Sequence, residues 1–409
     1  MRRSAPFLVA SVLLLPYAAT GLAADLFRGS FVIDGQSASA GSNNIQDFAD
    51  LFTNRGLRSL SSSYTDVSAA TADVSLRGVP ATLSYAANST TLRFIVPSAG
   101  INESFTGATR DESQDLALEW FKGAGGAALT RLLRQAVATT AVDPLAGNPN
   151  SLMSQMGAAD FNLATGAAPS AGLAGGSRFG LGARFGSYSA GDHDTQTYSL
   201  PIGYRFDFGS SGTLLIDAPM TLSSTSNAEA YSGSLGIGYR IPMRLGQPDW
   251  LTWSLTPVVR AGAVGSTEIG SVGGIWSASL TSTLTLSLPG GGDLTMGNMF
   301  GRLDTLPIKI ADYDISYELS NYIYRNGLVY TRPVGEMFGR SVSASLFVLD
   351  TRFTGDDLYV KSYQEFGAFL NIGDPIRILG APVPVRIGAT YLTGENDYRG
   401  FTLNLGVTF

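Results

Sequence analysis

From about Ser177 to Phe409 apolar and small or polar residues alternate with a period of two. Phe179, Leu181, Ala183 and Phe185 alternate with Arg178, Gly180, Gly182 and Arg184. Tyr198, Leu200, Ile202, Tyr204, Phe206 and Phe208 do so with Ser199, Pro201, Gly203, Arg205 and Asp207. Period two puts each set on one face of a strand. Twelve such segments are predicted, near 177–189, 195–208, 212–223, 229–242, 251–264, 273–288, 293–305, 313–334, 340–354, 357–373, 382–393 and 398–409. Turn chemistry separates them, as in GSSG at 209–212, PGGGD at 289–293, TGDD at 354–357 and GEND at 394–397. The eighth segment is long, and Asn326-Gly327 offers a hairpin turn within it. An even count closes a barrel, so the eighth is kept whole, with fourteen strands as the next choice.

Residues 25–165 read differently. Val74 to Tyr85 and Thr90 to Val96 read as two strands around Ala87-Asn88-Ser89. Thr109-Arg110-Asp111-Glu112 is a capping box opening a helix to about Lys122. A second helix, about 127–141, gathers Leu129, Leu132, Leu133, Ala136 and Val137 on one face, and a short one covers 150–161. The Ala/Gly/Pro/Ser-rich stretch 166–176 reads as a linker. The predicted organisation is therefore a leader at 1–23, an N-terminal α+β plug or periplasmic region at 24–165, the linker, and a barrel at 177–409.

The leader rests on Arg2 and Arg3, the apolar run Phe7 to Leu15, and small Gly21 and Ala23 before a cleavage site near Ala23/Ala24. Its removal takes away two positive charges and moves the net charge from −6 to −8, which argues against nucleic-acid binding. With no Cys there is no disulfide or thiolate chemistry. Charged residues are 15% and Gly is 49 of 409, against about 25% and about 7% in soluble chains. Beyond the leader no run reaches the ~18 apolar residues of a spanning helix. An exported chain of this hydrophobicity is either a soluble β-protein or enters a membrane as a closed barrel. The polar faces of the segments are mostly Gly, Ser and Thr, and aromatics such as Tyr188, Tyr198, Phe208, Tyr231, Trp250, Trp276, Tyr330, Tyr391 and Tyr398 mark segment ends. That is the pattern of an antiparallel transmembrane β-barrel with interfacial girdles.

The last segment, FTLNLGVTF, alternates Phe401, Leu403, Leu405, Val407 and Phe409 with small or polar residues. It resembles the C-terminal assembly signal of Gram-negative outer-membrane β-barrel proteins. The resemblance implies recognition by the barrel-assembly machinery, outer-membrane lipids as surroundings and an outer-membrane location. The N-terminal region resembles no such family.

An arginine on the lipid face is costly, so phase assigns Arg178, Arg184, Arg205, Arg240, Arg260 and Arg386 to the lumen, joined by Arg302, Arg325, Arg332 and Arg352. Acids expected there are Asp207, Asp217, Asp304, Glu318, Asp350 and Glu365. These residues read either as an anion-attracting pore wall or as Arg–carboxylate pairs stiffening the lumen. The expected function is passage of small, even anionic, solutes through a barrel whose N-terminal helices plug it, with 25–100 in the periplasm. The alternatives are an autotransporter-like export pore with a threaded helix, a structural or adhesive barrel, and a lipase. No catalytic residue, metal or cofactor is assigned. His193, the one histidine, is expected in an exposed turn, and the acids Asp192, Asp194, Asp356, Asp357, Glu395 and Asp397 in solvated loops. The oligomeric state is left open.

Overall fold

The computed structural model describes residues 25–166, 178–243, 248–310, 313–337, 339–378 and 381–408. The expected leader, most of the linker and Phe409 lie outside the described residues. The chain forms an α+β domain, one helix inside a barrel, and the barrel.

The N-terminal domain is an antiparallel sheet of six strands in the order β2-β1-β3-β4-β5-β6. They are β1 (Phe27–Ile33), β2 (Gln36–Ser42), β3 (Ala70–Leu76), β4 (Val79–Tyr85), β5 (Leu92–Val96) and β6 (Ile101–Phe105). The expected strand 74–85 is in fact a hairpin: Arg77 and Gly78 both have positive φ, and they turn β3 into β4. Alternation along β1 sends Phe27, Phe31 and Ile33 to one face and Arg28 and Ser30 to the other. The apolar face is covered by α1 (Ile45–Asp50), α2 (Asn54–Leu60), α3 (Arg110–Lys122) and α4 (Gly126–Thr139). Ring pairs Phe27–Phe48 and Phe94–Phe121 fasten the helices to the sheet, with centroids 5.8 and 5.9 Å apart. The capping box forms, with Thr109 accepting from the Glu112 N–H.

Arg110, at the start of α3, is fully buried. Its guanidinium donates to the carbonyls of Ser68 (2.6 Å), Ala86 (3.2 Å) and Ser89 (3.1 Å) and lies 4.7 Å from the Tyr85 ring centroid. Replacing it with Met leaves the inward carbonyls of Ser68 and Ser89 unsatisfied, each costing about 1–3 kcal/mol, while Ala86 keeps the Ser89 N–H. Arg110→Met is expected to expose α3 to proteolysis in otherwise folded protein, while Arg58→Met, at an exposed surface pair, leaves cleavage unchanged; equal cleavage of the two variants would refute the assignment.

The barrel has twelve antiparallel strands, and the first is hydrogen-bonded to the last. They are β7 (Arg178–Ala190); β8 (His193–Leu200) continued by β9 (Ile202–Asp207); β10 (Thr213–Asp217) continued by β11 (Met220–Thr225); β12 (Ala228–Pro242); β13 (Leu251–Ser266); β14 (Ser271–Leu288); and β15 (Gly292–Leu306). After a small hairpin, β16 (Ile308–Ile310) and β17 (Tyr313–Ile315), come β18 (Ser320–Met337), β19 (Arg340–Gly355), β20 (Ser362–Ile378), β21 (Ala381–Gly394) and β22 (Arg399–Thr408). Two of the twelve are broken where Pro201 and Pro219 cannot donate to the ladder. Asn326 and Gly327 sit mid-strand in β18 rather than in a turn. Closure removes the open edges that hydrocarbon does not tolerate.

The outer face is apolar: Phe185, Leu235, Val259, Leu280, Phe300, Leu346, Phe366 and Leu403 are all exposed. An exposed apolar band of this extent is the surface of a membrane-spanning barrel. Most of the segment-end aromatics face outward, but Tyr188 and Tyr398 turn in and pair with centroids 6.2 Å apart.

The connections between strands fall at two ends. One end carries those after β7, β11, β13, β15, β19 and β21; the other carries the remainder together with the start of β7 and the end of β22. The longest connection, 307–319, belongs to the first end. The N-terminal domain is docked on that end, which we term the docked rim.

Candidate functional site: the helix in the lumen

Between domain and barrel, residues 140–151 form a buried turn that leads into α5 (Leu152–Thr165). At about 1.5 Å per residue the helix is roughly 21 Å long, close to the ~25 Å height of a membrane band. Leu152, Met153, Met156, Phe161, Leu163 and Ala164 are buried, and α5 packs on β12, β13, β14, β15 and β18. A helix apolar on nearly all sides needs a full enclosure, and the barrel supplies it. Glycines make the room. A Cβ on Gly297 would come 2.7 Å from the Phe161 ring, and one on Gly327 2.8 Å from it.

Polar groups fix the helix in depth. Arg260 on β13 donates to Asp160 of α5 at 2.6 Å, to Asp217 of β10 at 2.6 Å and to Ser234 at 3.1 Å. Ser279 of β14 donates to the other Asp160 oxygen at 2.9 Å. The side chains of Arg260 and Asp160 are 0% and 1% exposed, and the one guanidinium is shared between the Asp160 and Asp217 carboxylates. At the C-terminal end, Arg240 donates to the carbonyls of Leu163 and Ala164 and Arg386 to that of Gly166. Two cations therefore sit where the helix dipole is negative and its last carbonyls have no partner within the helix. Arg325 of β18 lies 5.4 Å from the Phe161 ring centroid and pairs with Glu365 of β20.

Of the arginines assigned to the lumen, Arg184, Arg240, Arg260, Arg325 and Arg386 line it. Arg184 donates to Asn404 across the first-to-last strand seam at 2.8 Å. Arg205 and Asp207 share the inward phase of β9, where Phe206 faces out, and Asp207 accepts from the Gly209 N–H. The Arg178 side chain lies outside what is described. Arg302, Arg332 and Arg352 face outward instead, as do Asp304 and Asp350. For Arg302 and Arg352 the reason is the helix: where β15, β18 and β19 meet the plug and the docked domain, Met299, Leu303, Ile323 and Phe353 turn inward and are buried; Arg332, near the other end of β18, shares the outward phase of Leu328 and Tyr330. Apolar residues then occupy both faces, and polar residues near the rim fall on the outer phase. Glu318 lies in the rim connection and gives its carbonyl to Arg134.

The domain is joined to the rim through backbone and charge. Ile45 N–H donates to the Glu268 carbonyl (2.9 Å), Tyr359 N–H to Val137 (3.0 Å) and Val360 N–H to Gly147 (3.0 Å). Arg134 pairs with Asp356, and Asn150 donates to the Tyr398 hydroxyl. At the centre of the junction Asp143 is fully buried; it accepts from Arg77 of the domain (3.0 Å), from Tyr317 of the rim (3.1 Å) and from the Leu145 N–H (2.9 Å). Burial pushes its carboxyl above the usual carboxylate range, and Arg77 with the neighbouring N–H groups pulls it back. Burial, and next the Asp143 charge, raises the Tyr317 phenol.

The remaining sequence candidates lie at the rim. His193 opens β8, half-buried, with Nδ1 3.4 Å from the Ser226 hydroxyl. Asp356 and Glu395 are engaged by Ser320 and Ser362, and Asp357 by Lys361. Among the described residues no group of three or more side chains has metal-ligating geometry.

Asp143, Asp160 and Phe161 were not singled out from sequence. Asp160 did leave a signal: it is the single charge in a helix otherwise of apolar and uncharged polar residues, and a charge in such surroundings requires a partner on the opposing wall.

Beside α5, facing β18–β22 and β7, a cavity of about 160 Å³ remains. Its charged lining is Arg184, Arg325, Arg386 and Glu365.

No protein-family model and no curated protein sequence matches this chain. Among solved structures it is similar to the β domain of the Bordetella autotransporter BrkA, at 13% identity and a TM-score of 0.42, over 57% of this chain and 99% of that one. It is similar to the translocator domain of the autotransporter NalP from Neisseria meningitidis, at 14% identity and a TM-score of 0.42, over 63% and 95%. An outer-membrane channel from Pseudomonas putida matches at 12% identity and a TM-score of 0.39, over 58% and 96%. At these identities and scores the likeness assigns no role.

Proposed function

We propose that this chain is an outer-membrane barrel that holds its own N-terminal domain on the cell surface through α5. One observation carries the reading: α5 runs the length of the lumen and delivers the domain to the rim opposite the start of β7 and the end of β22. Such barrels turn briefly on the periplasmic side and carry longer loops outside. The longest connection, 307–319, is on the docked rim. The domain then lies outside the cell rather than in the periplasm, and the arrangement is that of an export or display device. A gated channel is the second reading. The cavity beside α5 and the polar contacts that fix its depth favour it, because hydrogen bonds can be exchanged for water if the helix moves.

An epitope inserted in the Asp34-Gly35 turn of β1–β2, whose two residues have positive φ and lie at the surface, is expected to bind a non-permeant antibody on intact Gram-negative cells. Labelling only after the outer membrane is permeabilised would overturn the display reading and return the domain to the periplasm.

A further inference from the structure

The outward residues of the barrel are apolar through most of its circumference, but a polar row crosses the band on three adjacent strands. Asn298 of β15 lies midway along its strand, opposite Asn326 of β18, which is opposite Asp350 of β19. Asn298 and Asn326 are exposed, flanked along their own strands by Met296 and Phe300, and by Tyr324 and Leu328. No hydrogen bond joins either amide to a described residue. An amide facing hydrocarbon without a partner is costly, and polar side chains at that depth commonly join spanning elements.

We propose that this face is where a second copy of the chain docks, side by side in the membrane, about a two-fold axis parallel to the barrel axis and passing beside β18. This rests on the membrane-spanning reading and not on the display role. The patch is complementary to itself. An Asn amide is both donor and acceptor, so Asn326 meets Asn326 of the second copy on the axis. β15 and β19 flank β18, so the axis brings β15 of each copy toward β19 of the other. Toward the docked rim from that row β15 carries Arg302 and Asp304, paired at 2.9 Å; on β19 Asp350, itself in the row, pairs at 2.9 Å with Arg352, two residues nearer the rim. Each edge has one cation and one anion, and either can exchange its partner for one on the facing edge. That sums to no net charge, which suits a copy of itself and not an anionic lipid headgroup. The Phe300 ring, 5.7 Å from that of Tyr322 and 5.3 Å from that of Tyr324 between centroids, adds with them the aromatic surface typical of protein contacts. A two-fold contact of this kind is isologous.

The chain has no cysteine, so single-cysteine crosslinking tests the proposal without background. In outer membranes under oxidising conditions, Asn326→Cys is expected to give a covalent dimer. Leu200→Cys, exposed on β8 of the opposite wall, is expected to stay monomeric. The Asn298→Leu, Asn326→Leu double variant should lose amine-reactive crosslinking of the full-length protein while keeping its folded mobility in unheated gels. Monomer for Asn326→Cys, or equal dimer from both cysteine variants, overturns the dimer. Monomer accompanied by lipopolysaccharide that copurifies with the wild type and not with the leucine variant overturns it in favour of a lipid site. A variant missing from the membrane fraction altogether would instead count against the membrane-spanning reading on which the dimer depends.

Discussion

Arg260→Met is expected to lower the unfolding free energy of the barrel by about 3–5 kcal/mol, the cost of removing one partner from a buried ion pair. Arg260 pairs with both Asp160 and Asp217, and its own side chain is fully enclosed. Without it, two carboxylates on facing surfaces of the helix and the wall must take up protons or draw in water. The helix loses the contact that sets its depth, and the wall loses the link between β10 and β13. The measurement is the urea midpoint of the folded band in unheated gels. Asp160→Asn should cost less, since Arg260 keeps Asp217 and Ser234 and the amide still accepts from Ser279. A loss of under about 1 kcal/mol for Arg260→Met, the scale of a surface pair, would mean that the cluster does not hold the helix.

Removing residues 25–166 is expected to convert a closed barrel into an open one. A helix with its side chains is about 10–12 Å across, so the emptied lumen admits solutes of that cross-section. Planar-bilayer recordings should show large stable steps for the shortened protein and near silence for the full chain. A second variant lacking only 25–142 keeps the buried turn and α5 with its anchors at Asp160, Leu163, Ala164 and Gly166. It should remain as silent as the full chain, which assigns the seal to the helix and not to the docked domain. If the shortened barrel conducts no better than the full chain, the lumen is closed by its own wall and the plug assignment fails.

Much of the fold was legible because its rule is local. In a strand, neighbouring side chains point to opposite faces, so segments such as 198–208 and 401–407 declare both their existence and their greasy side. The need to close followed from the solvent, and the even count from the habit of bacterial single-chain barrels. The helices 110–122 and 126–139 were readable from a capping box and an apolar stripe. The β3–β4 hairpin was missed because Arg77 supplies the positive φ with Gly78, and arginine carries no turn signal.

The candidate site was legible by half. Arg240, Arg260, Arg325 and Arg386 declared an inward phase, but what they hold of the helix did not appear in their own strands. Asp160, the last carbonyls of α5 and the Phe161 ring reach them from far away in sequence. Arg302 and Arg352 went the other way for the same reason: once a helix fills the lumen, the wall beside it turns Met299, Leu303 and Ile323 inward.

The sequence by itself determined the barrel, its strand count and its outer surface, because alternation and turn chemistry act between neighbours and lipid imposes one solution on them. Only the tertiary structure decided that α5 occupies the lumen, that the domain sits on the rim away from the end of β22, and which arginines serve the helix. Those outcomes depend on charges and shapes brought together from distant segments, and no local periodicity encodes the pairing.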